Sequence, residues 1–179
     1  MDFADLTAAE AEEISALFRD TFAASEGAAE GALIGGLARR LMTETPEADL
    51  HAFAAMAEDG FAGAIIFSRM TYSEDPRQVF VMGPVAVATD RQGQGVGQAL
   101  IRHGLAALAA RGVDVALTYG DPAYYGRVGF RPITTEIAAA PFALQFPEGW
   151  LGQSLDGRVL EPLAGAARCV AALDDPAFW

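Results

Sequence analysis

The residues Arg91-Gln92-Gly93-Gln94-Gly95-Val96-Gly97 have types and spacing that could do chemistry. Glycines let successive backbone N–H groups point into one concavity, and a helix beginning there adds a positive partial charge. The flanks fit that use. Strand-like Val79 to Ala88 precedes the run, and Val96, Leu100, Ile101, Leu105 and Leu108 follow at helical spacing until Gly112. Strand, glycine turn and helix in that order build an anion site. A dinucleotide fingerprint needs G-x-G-x-x-G, yet counting from Gly93 the sixth position is Gln98. A nicotinamide dinucleotide therefore fails on spacing, and Gln92-x-x-Gly95-x-Gly97 is what stands.

Other chemistries are excluded more simply. All 12 basic residues are arginine, so there is no Walker-type lysine and no lysine for a Schiff base. His51 and His103 lack ligand spacing, so no metal site is expected. The single Cys169 cannot form an internal disulfide and reads as a small buried hydrophobe. No G-x-S-x-G nucleophile elbow occurs. A formal charge of −12 argues against nucleic acid as a partner. Between Arg91 and Arg131, however, five arginines face only Asp114 and Asp121, a net +3. A polyanionic ligand would meet that segment, while the acidic remainder would favour a cationic amine.

The elements that must position these residues follow from pattern. Hydrophobic residues at 52% and charged residues at 20% describe a globular chain, and 179 residues suit one domain. Thr7-Ala8-Ala9-Glu10 has capping-box spacing and opens a helix through Ile14, Leu17, Phe18 and Phe22, closed at Gly27. Leu33, Ile34, Leu37 and Leu41 mark a second helix. Residues 49–57 and 61–72 read as strands around a Glu58-Asp59-Gly60 turn. Gly83-Pro84 lies inside the next strand, and because proline cannot donate to a ladder, that strand must bulge or part from a neighbour there. Val113 to Tyr119 is a short strand. Asp121-Pro122 then caps a short helix that carries Tyr124 and Tyr125 and ends at Gly129. Phe130 to Ile137, Phe142 to Phe146 and Arg158 to Leu160 look like further strands, with Trp150 and Trp179 as packing anchors. No stretch approaches the ~18 apolar residues of a bilayer span. The acidic N-terminus does not resemble a signal peptide, so a cytoplasmic protein with no membrane partner is expected. The absence of Lys and Asn beside abundant Ala, Gly and Arg points to a GC-rich, bacterial genome.

Taken together, Gly83-Pro84-Val85-Ala86-Val87, the Gln92-x-x-Gly95-x-Gly97 turn and the Asp121-to-Phe130 segment resemble the GNAT-type N-acetyltransferases. The specific match covers Val79 to Pro132, and Gly120-Asp121-Pro122-x-Tyr124-Tyr125 resembles a predicted-acetyltransferase subgroup with a longer C-terminus. The resemblance implies a single α/β domain over 1–179, with a core of about 1–135 and an extension of about 136–179. Its sheet would be mixed and mostly antiparallel, splayed between the fourth and fifth strands, with helices on both faces. It implies acetyl-CoA as cosubstrate, an amine acceptor and no metal. Backbone of Val85, Ala86 and Val87 would hold the pantetheine arm, and amides of Gln92, Gly93, Gln94, Gly95, Val96, Gly97 and Gln98 would wrap the pyrophosphate. Arg91 beside that loop is a candidate phosphate contact. Tyr125, four residues before Gly129, matches the tyrosine that protonates the leaving thiolate. Two departures stand out. Val115 to Tyr119 offers no carboxylate base, and the first strand is abbreviated. The base is then water, a carboxylate from another segment, or not required for an acceptor arriving as free amine. The same gap keeps open a catalytically silent acyl-CoA sensor, and the resemblance leaves a homodimer open.

Overall fold

The computed structural model describes residues Met1–Trp179. Its strands are β1 (Asp2–Asp5), β2 (Leu50–Ala57), β3 (Gly60–Tyr72), β4 (Asp75–Val87), β5 (Val115–Tyr119), β6 (Arg131–Pro132), β7 (Trp150–Ser154) and β8 (Ala167–Arg168). The helices are α1 (Ala11–Glu26), α2 (Ala28–Glu44), α3 (Val96–Ala110) and α4 (Pro122–Tyr125). The strands are hydrogen-bonded in the order β1-β2-β3-β4-β5-β7-β6, with β8 on β3. The sheet is mixed: β4 and β5 run parallel, whereas β1–β2, β5–β7, β6–β7 and β3–β8 run antiparallel. The fold is thus α/β with an open sheet, as the resemblance implies.

Two compact units divide the chain, and β3, β4 and α3 each contribute to both. The first comprises Met1–Phe67 and Gly83–Gly104. Thr7 accepts from the Ala9 amide while Glu10 accepts from the Thr7 amide, so the capping box forms and leads into α1. Gly27, at φ +99°, ends α1 and starts α2 without a loop. The buried stripe of α2 runs through Gly31, Gly35, Leu37, Ala38, Leu41 and Met42. Leu33, counted with that stripe in the sequence, is instead 41% exposed. Glycine takes the facing positions because α1 is too near for anything larger. A Cβ on Gly31 would lie 2.5 Å from the Arg19 carbonyl oxygen, and one on Gly35 would lie 2.8 Å from Arg19 Cβ. Ser15 Oγ donates to the Gly35 carbonyl at 2.9 Å across the same contact.

The second unit comprises Ser68–Met82 and Leu105–Trp179. Within it β4 and β5 pair from Val79↔Val115 to Met82↔Thr118. The pairing stops one residue before Gly83-Pro84, where the missing proline donor was expected to end it, while β4 runs on through Val87. The other edge of β5 is taken by β7, from Val115↔Ser154 to Tyr119↔Trp150. This corrects the expectation for Phe142 to Phe146, which forms no strand. Pro141 and Pro147 bracket it, and the place beside β5 is filled by a segment that begins with Trp150, a fully buried residue. Phe130 to Ile137 contracts to the two residues of β6, and Arg158 to Leu160 is irregular, with Val159 85% exposed. Trp150 donates its indole N–H to Ala138 and Trp179 donates its own to Leu173, so both tryptophans are buried with their polar atoms satisfied. Cys169, expected to be buried, is partly exposed, and burial nevertheless pushes its thiol up to about 11.

Candidate functional site: an anion-binding turn and a tyrosine helix

In the first unit β4 delivers Val85, Ala86 and Val87 to the glycine turn, and the turn is fastened back to the strand. Gln92 Nε2 donates to the Val87 carbonyl at 3.0 Å, and Gln94 Nε2 donates to the Asp90 carbonyl at 3.1 Å. Gly93 and Gly95 adopt φ of +73° and +82°, a conformation side-chain-bearing residues rarely take. Nothing lies within 4 Å of where a side chain would begin at either glycine, so this face of the turn is open. Ala99 N–H makes its helical bond to Gly95, and helix geometry leaves the amides of Val96, Gly97 and Gln98 without intrahelical acceptors. The arrangement can bind an anion through backbone donors alone. Arg91 is not among them. Its guanidinium lies on Asp59 Oδ1 at 2.9 Å and on Asp90 Oδ2 at 3.3 Å, so it ties the turn to the β2–β3 hairpin tip.

Close approach also shapes β4. A Cβ on Gly63 of β3 would fall 2.8 Å from the Ala86 carbonyl oxygen, which explains a glycine amid buried strand residues. His103 stacks on Phe3 at 4.4 Å and meets Phe53 edge-on at 5.4 Å, a packing role. No group of His, Cys, Asp and Glu residues that could hold a metal is present.

In the second unit Asp121 Oδ1 accepts from the Ala123 amide at 2.9 Å, and Pro122 fills the first helical position. The tyrosine helix therefore starts where its cap predicts, passes at Tyr125 into a 3-10 turn over Gly126–Val128, and Gly129, left-handed at φ +98°, closes that turn. Tyr125 lies edge-on to Tyr124 at 5.2 Å and to Phe130 at 6.1 Å. Its ring is pressed against Gly120, where a Cβ would stand 2.7 Å from Cε2. Burial, reinforced by the Tyr124 and Asp121 charges, pushes its phenol up to about 12. At neutral pH the Tyr125 phenol keeps its proton.

That shift has a direct readout. An unfolded tyrosine titrates near ~10. A raised folded value means Tyr125 contributes stability fully below pH ~10 and loses it as pH rises through about 12. The ultraviolet phenolate band of the native protein should therefore lose a component with a midpoint near 12 in Tyr125→Phe. Loss of a component near ~10 instead would show an ordinary, hydrated phenol.

One residue that shapes this region was not legible in the sequence. Thr118, 1% exposed in an otherwise apolar strand, donates its hydroxyl to the Met82 carbonyl at 2.9 Å. The bond spans the last β4–β5 pair and pins the place where the pairing stops. The available signal was a lone hydroxyl in Val115-Ala116-Leu117-Thr118.

A family model for the acetyltransferase (GNAT) domain matches residues 48–132, from just before β2 through β6. The chain carries a GNAT acetyltransferase domain. The uncharacterized N-acetyltransferase YjhQ of Escherichia coli K12 is 32% identical over 120 residues, 64% of this chain. YhbS of the same organism is 33% identical over 111 residues, 54% of this chain. The match spans 66% of the length of YjhQ and 65% of the length of YhbS. Among solved structures, YhbS in complex with CoA gives a TM-score of 0.78 at 24% identity, covering 97% of this chain and 92% of that one. A Brucella melitensis GNAT family acetyltransferase in complex with acetyl-CoA gives 0.74 at 24% identity, covering 97% of each chain. These structures share the fold of this chain. No helix in it is long and apolar enough to cross a membrane.

Proposed function

We propose that the protein is an acetyl-CoA-dependent N-acetyltransferase that acts on a primary amine by direct attack. The observation that carries the reading is the open glycine turn, fastened by Gln92 to the end of β4 and followed at once by the α3 N-terminus. A polyanion such as coenzyme A suits that donor set, and backbone donors at fixed positions lose nothing to side-chain ordering. Val85, Ala86 and Val87 hold the pantetheine arm in the manner of an added strand, and Gln92 through Gln98 wrap the pyrophosphate. Acetyl-CoA supplies the activated thioester. Backbone N–H groups of β4 polarise the acyl carbonyl, and Tyr125 keeps its proton at neutral pH and donates it toward the departing sulfur. With Val115 to Leu117 buried and apolar, β5 provides no base, so the acceptor attacks as its free amine. In cells this chemistry belongs to a cytoplasmic, bacterial protein.

The test is thiol release from acetyl-CoA across an amine panel, with the N-acetyl product identified by mass. Turnover of at least one primary amine is expected. Saturable acetyl-CoA binding without turnover of any amine would instead favour the acyl-CoA sensor, the reading that the carboxylate-free β5 keeps in view.

A further inference from the structure

From Asp90 to Gln94, every residue of the first unit's turn except Gly93 is fastened through its own side chain. Most of these bonds are local. Gln92 reaches back to Val87, Gln94 to Asp90, and Arg91 to its neighbour Asp90. The bond from Arg91 to Asp59 differs, because it spans 32 residues to the tip of the β2–β3 hairpin. There Arg91 Nη2 donates to Asp59 Oδ1 at 2.9 Å and to Oδ2 at 3.0 Å. At the base of the turn the Ala88 amide donates to the Ala62 carbonyl at 2.9 Å. Hairpin and turn are thus joined at two points, one of them a side-chain pair.

By charge alone this pair is wrong for an anion site. Asp59 and Asp90 set two carboxylates on one guanidinium, a net charge of −1, and a carboxylate near a polyanion repels it. Geometry supplies the opposite effect. Gly93 and Gly95 stand at φ +73° and +82°, and glycine loses more conformational freedom on ordering than any other residue. A turn that is not held spends time in forms whose amides do not converge. A ligand's apparent dissociation constant then rises in proportion as the competent fraction falls.

We infer that Asp59 is a positioning residue for coenzyme binding, an inference that rests on the N-acetyltransferase reading. Acting through Arg91, it holds the pyrophosphate turn in its competent form and raises affinity for acetyl-CoA despite its own negative charge. It needs no contact with the coenzyme to do so. The size of the effect is bounded by exposure. Both carboxylates are mostly exposed, and exposed ion pairs are worth at most about fivefold in an equilibrium constant. The sign is therefore the sharper test.

Asp59→Ala should raise the dissociation constant of acetyl-CoA about threefold, and its KM likewise, with kcat at saturation unchanged. Charge alone predicts the reverse, since the substitution removes a repulsion. Arg91→Ala should weaken binding as well, and the double variant should bind no more weakly than Arg91→Ala. A second readout needs no ligand. In the coenzyme-free protein the amides of Gln92, Gly93 and Gln94 should exchange with solvent about threefold faster in Asp59→Ala. A dissociation constant that falls or stays the same in Asp59→Ala overturns the inference, and so do losses that multiply in the double variant. A wild-type protein without saturable acetyl-CoA binding would instead sink the acetyltransferase reading. The exchange rates would then decide the clamp by themselves, and unaltered rates would overturn it.

Discussion

Tyr125→Phe is expected to lower kcat by about 10²–10⁴-fold while leaving the dissociation constant of acetyl-CoA nearly unchanged. The split follows from where each job is done. The phosphates and the pantetheine arm are assigned to backbone of β4 and the glycine turn, and a phenol hydroxyl removed from α4 touches neither assignment. A thiol leaves near its ordinary ~8.5, and a phenol held near 12 delivers its proton only as charge develops on sulfur. The loss should therefore appear in the chemical step, measured by single-turnover acetylation. Tyr124→Phe is the control, since its ring neighbours Tyr125 but stands one position off the spacing to Gly129. If Tyr124→Phe abolishes turnover and Tyr125→Phe does not, the donor is assigned one residue too late. If neither change slows a confirmed substrate, water supplies the proton.

Gly95→Asp should weaken acetyl-CoA binding by more than about a hundredfold, equivalent to roughly 2.7 kcal/mol. Two causes add. The position has φ +82°, which a side chain resists, and an aspartate there places negative charge in the path assigned to the pyrophosphate. Gly95→Ala separates them, because it carries the backbone strain without the charge. At a hundredfold excess over its dissociation constant, acetyl-CoA stabilises the native protein by about 2.7 kcal/mol, so a thermal scan detects the loss. The alanine variant should melt lower on its own yet still respond to acetyl-CoA, and the aspartate variant should not respond. An undiminished response in Gly95→Asp would remove the pyrophosphate from this turn.

The sequence carries some of this architecture plainly and hides the rest for physical reasons. The capping box at Thr7, the Glu58-Asp59 turn, the glycine turn, the Asp121-Pro122 cap and the left-handed Gly129 are local devices. Each is set by a few adjacent residues, so spacing exposes it. Parting of β4 from β5 was legible because one residue, Pro84, cannot donate. Segments that depend on competition between distant stretches were not. Phe142 to Phe146 alternates like a strand, but β7 holds the edge of β5, and only the folded chain shows which stretch wins. Arg91 beside a glycine turn reads as a phosphate ligand until Asp59, 32 residues earlier, is seen to hold it. Thr118 was hidden for the same reason, since its partner is a carbonyl on another strand.

The near-contact of α1 and α2 also governs how that part of the chain can open. At Gly31 and Gly35 the α2 backbone comes directly against Ser15, Arg19 and Ala23 of α1 with no side chain of its own between, and the Ser15 bond to Gly35 crosses the seam. Backbones this close have no soft padding across which one helix could slide while the other stays. With Gly27 linking them directly, a loop cannot absorb independent movement either. The hairpin therefore behaves as one cooperative element, whose amides exchange with solvent together rather than helix by helix.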